Sequence, residues 1–325
     1  MSKDEDYIHQ EHDKLFKAFF RIKETVIDYI NNFLPPELRD YINLEDLKQD
    51  ETAYLSTAKM KAFYSDVFYR TSLKFINKSF AFAFLFEHKF VPENYVDLQI
   101  LNYFNAVWQT DIANNRPPTF ILPIVIYQGE ADWEIKSYTG HFKDFPTTLL
   151  KFLPQFDYHL TNVNKLDASV IENLKGKSVL QSLFLAYKFL NDKEYAKNNY
   201  AEFFKSFEGK PELLELLRIF IGYVMRRTEL SSETVVKTIT KLKDTNLKSE
   251  IMSTYDYIKL EGKLEGKLEG KLEGKLEGKL EGKLEGKHEV VLNLHKMKVK
   301  ISKIAAAVNL TEEEVKAIIE NYKKK

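Results

Sequence analysis

Residues 62–69, AFYSDVFY, and 80–90, FAFAFLFEHKF, decide how this chain is read. Both runs are dense in aromatic and apolar residues and contain no Gly or Pro. Turn-prone Asn77-Lys78-Ser79 separates them, so they are expected as neighbouring β-strands. Each carries charge where a strand usually does not: Asp66 in the first, Glu87, His88 and Lys89 in the second. Glu87 and Lys89 are two residues apart, so on a strand they leave the same face roughly 6 to 7 Å apart. With Asp66 on the adjacent strand, two carboxylates and one amine converge.

That triad has a physical use. Two hard carboxylate oxygens hold Mg²⁺ with positions left open for water and a phosphate oxygen. The amine orients or deprotonates the attacking water. Burying such charges unpaired is costly, so a metal or an ion pair is expected wherever the strand ends are enclosed. A Glu and a Lys at a solvated strand end produce the same tripeptide, and only the upstream Asp and the aromatic context argue against that reading.

A longer series of short motifs joins the triad: His12-Asp13 with Phe16-Lys17, then Glu24, Leu34-Pro35, Tyr64-Ser65-Asp66, Glu87-His88-Lys89 and Tyr127-Gln128-Gly129. In this order they resemble the recombination-promoting nuclease and transposase family of the PD-(D/E)XK nuclease superfamily. The resemblance covers roughly residues 10 to 135, and more loosely the C-terminal region. It implies that Asp66 and Glu87 are metal ligands, with the His88 main-chain carbonyl as a further ligand and Lys89 as the catalytic lysine. Many members carry Gln at the third position of the second triplet; Lys89 is the residue of the wider superfamily signature.

Length and composition set the outer bounds. A chain of 325 residues, 44% hydrophobic with 24 Phe and 18 Tyr, can build a sizeable core. It has no run of about 18 apolar residues and no apolar leader, so no membrane association and a cytoplasmic location are expected. The absence of cysteine excludes disulfides, zinc–thiolate sites and thiol catalysis. The net charge of zero hides an asymmetry: residues 1 to 150 hold 16 Lys and Arg against 22 Asp and Glu. A tight, sequence-independent duplex binder usually has the opposite sign, because phosphate neutralisation drives that affinity.

Taken in order, residues 11 to 33 read as one amphipathic helix through Leu15, Phe19, Ile22, Val26 and Ile30, ended by Leu34-Pro35-Pro36. Glu24 and Asp28 on it are candidate carboxylates near the metal, although solvated helix carboxylates read the same way. His12 could approach the substrate or hydrogen-bond at the helix entry. A short helix and connections fill 37 to 58, and a helix fits 93 to 113. There Gln99 and Tyr103 share a face. Gln-X-X-X-Tyr resembles a motif of the exonuclease-like branch that contacts nucleic acid or supports the metal site. A third strand follows at 119 to 127, where Pro123 argues for an edge, an end or a bulge. From Phe145 to Tyr257 the pattern is mainly helical; the isolated His141 and His159 read as surface or hydrogen-bonded histidines.

Residues 259 to 286 are seven copies of Lys-Leu-Glu-Gly, holding seven of the chain's twelve glycines. As a helix, the Leu stripe drifts about 40° per repeat and winds right-handedly. Like charges fall at i,i+4, and seven interior glycines cost about 6 to 7 kcal/mol relative to Ala. The segment is expected as a helical spacer stabilised by pairing with a second copy, where Gly permits close approach, or otherwise as a flexible tether. Beyond it, residues 301 to 308 and a capping box at Thr311 to Glu314 resemble a helix-turn-helix joined at Asn309-Leu310. Its second helix opens with three glutamates, which argues against groove reading. Lys296, Lys298, Lys300 and Lys323 to Lys325 leave phosphate contact and protein docking both open.

The expected fold is α/β: a PD-(D/E)XK nuclease-like domain over 1–150, a helical subdomain over 151–258, the repeat spacer over 259–286 and a helix-turn-helix-like segment over 287–325. The expected activity is DNA endonuclease hydrolysis dependent on Mg²⁺ or Mn²⁺, linked to recombination or a mobile element. Asp66, Glu87 and Lys89 are catalytic, with Glu24, Gln99, Tyr103 and His12 supporting. DNA, further copies of the chain and a protein docked on the C-terminal segment are the expected partners. The alternatives are a non-catalytic nucleic-acid or partner-binding protein with a structural triad, and a toxin or anti-phage nuclease.

Overall fold

A computed structural model describes residues 3–49, 67–75, 79–87, 95–129, 131–133, 138–174, 178–228 and 230–323. The chain separates into two units, Met1–Tyr255 and Asp256–Lys325. In the first, α1 (Lys3–Phe20), α2 (Lys23–Phe33) and α3 (Pro36–Arg39) precede β1 (Lys48–Gln49), β2 (Val67–Ser72) and β3 (Ser79–Glu87). Then come α4 (Val96–Ala113), β4 (Phe120–Tyr127), α5 (Thr147–Leu150) and β5 (His159–Asn162). The helices α6 (Ala168–Glu172), α7 (Val179–Phe189), α8 (Lys193–Asn199), α9 (Leu214–Thr228) and α10 (Ser232–Ile239) follow. Finally α11 (Thr245–Lys296), α12 (Ile301–Val308) and α13 (Glu312–Lys323) complete the order.

The five strands form one mixed sheet in the order β1-β2-β3-β4-β5. Strands β2 and β3 are antiparallel, Val67 opposite Phe84 and Ser72 opposite Ser79, as expected of two neighbouring runs. Strand β4 runs parallel to β3, and β5 parallel to β4. The alternation of a strand splits the core in two. Val67, Tyr69, Ile124 and Ile126 point into a large cluster with α1, α2 and α7, which continues through Phe204 and Phe220. Phe68, Ala81, Ile121 and Val125 point the other way, onto Ile100, Phe104 and Val107 of α4. The first unit is therefore an α/β sandwich with helices on both faces of the sheet.

Two local expectations are corrected, and that for Pro123 holds locally. The helix read over 11–33 is two helices, because Ile22 is extended at φ −87° and ψ 118°. The apolar phase runs unbroken through Phe19, Phe20, Val26 and Ile30, all buried, so periodicity alone hides the break. Pro123 lies in a strand with neighbours on both sides, yet β5 pairs only from Ile124 onward. At Pro123 β4 has a strand on one side only, and a residue without an N–H is tolerated there. Lastly, the stretch read as mainly helical contributes β5, too short to show a period.

In the second unit the repeat is helical throughout, as part of the 52-residue α11. Val291 near its end packs with Ile304, Val308, Val315 and Ile319 of α12 and α13. Asn309 takes the left-handed conformation that closes α12, φ 55°. The capping box is formed: the Thr311 hydroxyl accepts from the Glu314 N–H at 3.2 Å, and the Glu314 carboxylate accepts from the Thr311 N–H at 2.7 Å. Among the described residues no helix is long and apolar enough to cross a membrane.

Candidate functional site

The sheet topology brings several strand ends together at one end of the sheet. Because β2 and β3 are antiparallel, the start of β2 and the end of β3 share an edge of the sheet. Glu87 is the last residue of β3 and lies opposite Tyr127, the last of β4, which lies opposite Asn162, the last of β5. The C-terminal ends of three parallel strands and the N-terminal end of β2 thus coincide. The end of an open α/β sheet where strand carboxyl termini gather is where ligands usually bind. Asp66, His88 and Lys89 lie outside the described residues, as does the Glu87 side chain.

The surroundings of this end are built by packing and hydrogen bonds. Tyr127 is fully buried and meets Trp133 edge-on at 4.8 Å. Gln128 is buried and donates its amide to the Tyr187 carbonyl of α7 at 2.8 Å. The Asn164 amide donates in turn to the Gln128 carbonyl. The Tyr-Gln-Gly motif therefore ties the sheet end to α7 by main-chain recognition. Lys188, which sequence reading did not single out, donates to the Asn164 carbonyl at 2.6 Å. Partial burial lowers its pKa below the usual lysine range, with Asp167 opposing. Its helical periodicity gave no signal; only the loop after β5 brings it here.

Glu24 is exposed in the first turn of α2. It is close enough to Tyr69 of β2 that, after burial itself, its charge is the next cause raising that phenol's pKa. Asp28 is half-buried, and desolvation raises its pKa while a hydrogen bond to Ser178 opposes the shift. His12 is 2% exposed in the interior of α1. Arg227 lies 2.6 Å from its Nε2 and Tyr223 2.8 Å from its Nδ1. A guanidinium only donates, so Nε2 accepts and Nδ1–H donates to the Tyr223 oxygen. His12 thereby braces α1 against α9.

On the other sheet face, Tyr103 is buried against Phe68 at 5.5 Å, while Gln99 one turn earlier is half-buried. The first turn of α4 carries buried Asp97, whose carboxylate meets His141 Nε2 at 2.7 Å. Tyr95 stacks on the same imidazole at 5.3 Å. His141 is thus a hydrogen-bonded histidine, as its isolation in sequence suggested, and its acidic partner is 44 residues away. The opposite sheet end is closed by buried Asp111, which meets Arg70 at 3.4 Å and Arg116 at 3.2 Å and accepts from the Thr119 N–H at 3.0 Å. Among the described residues no three His, Asp or Glu side chains converge as a metal site.

Comparison with known proteins adds the family. The chain is 28% identical over 145 residues to the recombination-promoting nuclease RpnD of Escherichia coli O157:H7, covering 43% of this chain and 54% of that protein. It is 29% identical over 121 residues to the inactive recombination-promoting nuclease-like protein RpnE of strain K12, and 27% identical over 121 residues to the nuclease RpnC of that strain. Each of these two matches covers 37% of this chain and 39% of the relative, so the chain spans about half or less of the curated relatives it matches. No solved structure matches it. The model of one family, described as "Putative transposase, YhgA-like", matches residues 10–213, which include most of α1, all five strands, α2, α4 and α7, and the chain belongs to that family.

Proposed function

We propose that this chain is a metal-dependent DNA endonuclease with a PD-(D/E)XK-like core, linked to recombination or a mobile element. The observation that carries the reading is the antiparallel pairing of β2 with β3. Asp66 is covalently next to Val67, the first residue of β2, and Glu87 is the last residue of β3, and the start of the one strand and the end of the other fall at one end of the sheet. Relatives named recombination-promoting nucleases support the same class.

The donor set suits a hard divalent cation: Asp66 and Glu87 carboxylates, with the His88 main-chain carbonyl as a further oxygen. When bound, Mg²⁺ or Mn²⁺ would polarise the scissile phosphate and lower the pKa of a water. Lys89 holds the attacking water and takes up or shares its proton. Glu24, at the start of α2, would draw a cation toward β2. Gln99 and Tyr103 of α4 would support the strand end from the other face. Hydrolysis of a phosphodiester is the chemistry these groups can perform.

A second reading, a non-catalytic nucleic-acid or partner-binding protein, is favoured by the acidic balance of residues 1 to 150 and by a relative named inactive. Nicking of supercoiled plasmid separates the two. The purified chain is expected to nick with Mg²⁺ and not with EDTA, and Glu87→Ala and Lys89→Ala should each lose at least a hundredfold. Activity that is equal in all variants would place the chemistry elsewhere, and none with any divalent ion or DNA form would favour the binding protein.

A further inference from the structure

The repeat helix carries a feature that the nuclease reading does not use. Its seven leucines, Leu260 to Leu284 at every fourth position, are all exposed, between 47% for Leu284 and 71% for Leu272. At about 100° per residue, each Lys lies about 100° to one side of its Leu, each Glu about 100° to the other, and each Gly behind. Four stripes result: an apolar one, an acidic and a basic flank, and a bare backbone on which an added Cβ would meet nothing within 4 Å.

Within the repeat no Lys and Glu stand at the spacing of a helical ion pair. Lys and Glu recur two or six positions apart, never three or four, and every i,i+4 neighbour carries like charge. A partner must therefore cover the leucines and also offer Glu beside Lys and Lys beside Glu along the whole length. Strand direction decides whether a copy of the same helix does so. In a parallel pair, the residue before the seam on one helix faces the residue after the seam on the other, the relation of g to e positions in a zipper. Here that sets Lys against Glu on both sides. In an antiparallel pair like flanks meet, Lys on Lys and Glu on Glu.

We propose that residues 259–286 form a parallel, in-register pair with the same segment of a second copy, leucines in the seam and glycines outward. The four-residue period exceeds 3.6, so the pair winds right-handedly. Gain or loss of a whole repeat in both chains keeps every Lys opposite a Glu, whereas a two-residue deletion puts Gly in the seam.

The chain contains no cysteine, so one introduced thiol reports direction without background. Leu260→Cys and Leu284→Cys, each alone in the full-length protein, are expected to give a covalent dimer on mild oxidation, since paired seam positions bring Cα atoms within disulfide reach. Cross-linking only when the two variants are mixed would show an antiparallel pair and overturn the proposal, as would no cross-link in either case. Light scattering of the unaltered chain should give twice 38.1 kDa, and the combined Leu268→Glu and Leu276→Glu variant half that mass. A monomer at the outset, or a dimer that survives the double change, would equally overturn it.

Discussion

Phe204 and Leu272 are both apolar side chains on helical segments, and they live under opposite rules. Phe204 has no exposed surface and touches Phe220 and Tyr200. Leu272 is 71% exposed within α11. In the first unit the long helices are held by what they bury, as α7 and α9 are. In the repeat no such burial exists within one chain, and the local propensity is poor because every fourth residue is Gly. Helicity in the first unit is supported by burial within the chain, and in the repeat the proposed pairing with a second copy would supply that support.

Mutations can break that contrast. The largest effect is expected for Phe204→Ala, roughly 3 to 5 kcal/mol off the urea-unfolding stability of the first unit, by loss of buried surface and a cavity. Asp111→Ala should follow at roughly 3 kcal/mol, because it removes the buried carboxylate that pairs with Arg70 and Arg116 and accepts from the buried Thr119 N–H. Tyr29→Phe removes the 2.7 Å hydrogen bond to Thr161 that ties α2 to β5 and should cost about 1 kcal/mol. Leu272→Ala should leave the same transition within about 0.5 kcal/mol, since it removes no buried contact of that unit. A Leu272→Ala effect as large as that of Phe204→Ala would dissolve the comparison.

The C-terminal helices sharpen it with a smaller effect. Thr311→Ala removes the hydroxyl half of the capping box, leaving the main-chain N–H to donate to Glu314, and should cost about 1 kcal/mol of α13 stability. The hydrogen bonds from Thr311 lower the Glu314 pKa. A carboxylate whose folded pKa lies below its unfolded value stabilises the fold above the unfolded pKa, near 4.3, and loses that contribution as the pH falls through the folded pKa. Helicity followed by circular dichroism should therefore decline below about pH 4 in the natural chain, and by less in Thr311→Ala, which keeps the main-chain N–H bond to Glu314 but loses the hydroxyl one.

Much of the fold was legible because its signals are local. Dense aromatic runs marked β2 and β3, a long apolar helix marked α4, and Thr311 to Glu314 announced a helix start. The break at Ile22, the strand β5 and the buried place of His12 were not. A helix break that preserves apolar phase has no periodic signature, a four-residue strand shows too few alternations, and His12 finds Tyr223 and Arg227 more than 200 residues away. At the candidate site the residue types could be read directly, while the shared sheet end of β2, β3, β4 and β5 depends on pairings that no local pattern encodes.

The amino-acid sequence alone supplied Asp66, Glu87 and Lys89 as the candidate groups and the four-stripe charge pattern of the repeat, because residue identity and spacing suffice for both. Only the tertiary structure decided which strands pair, which way they run and what closes each end of the sheet. Those outcomes depend on burying two faces of one sheet at once, a condition set by the whole chain and not by any stretch of it.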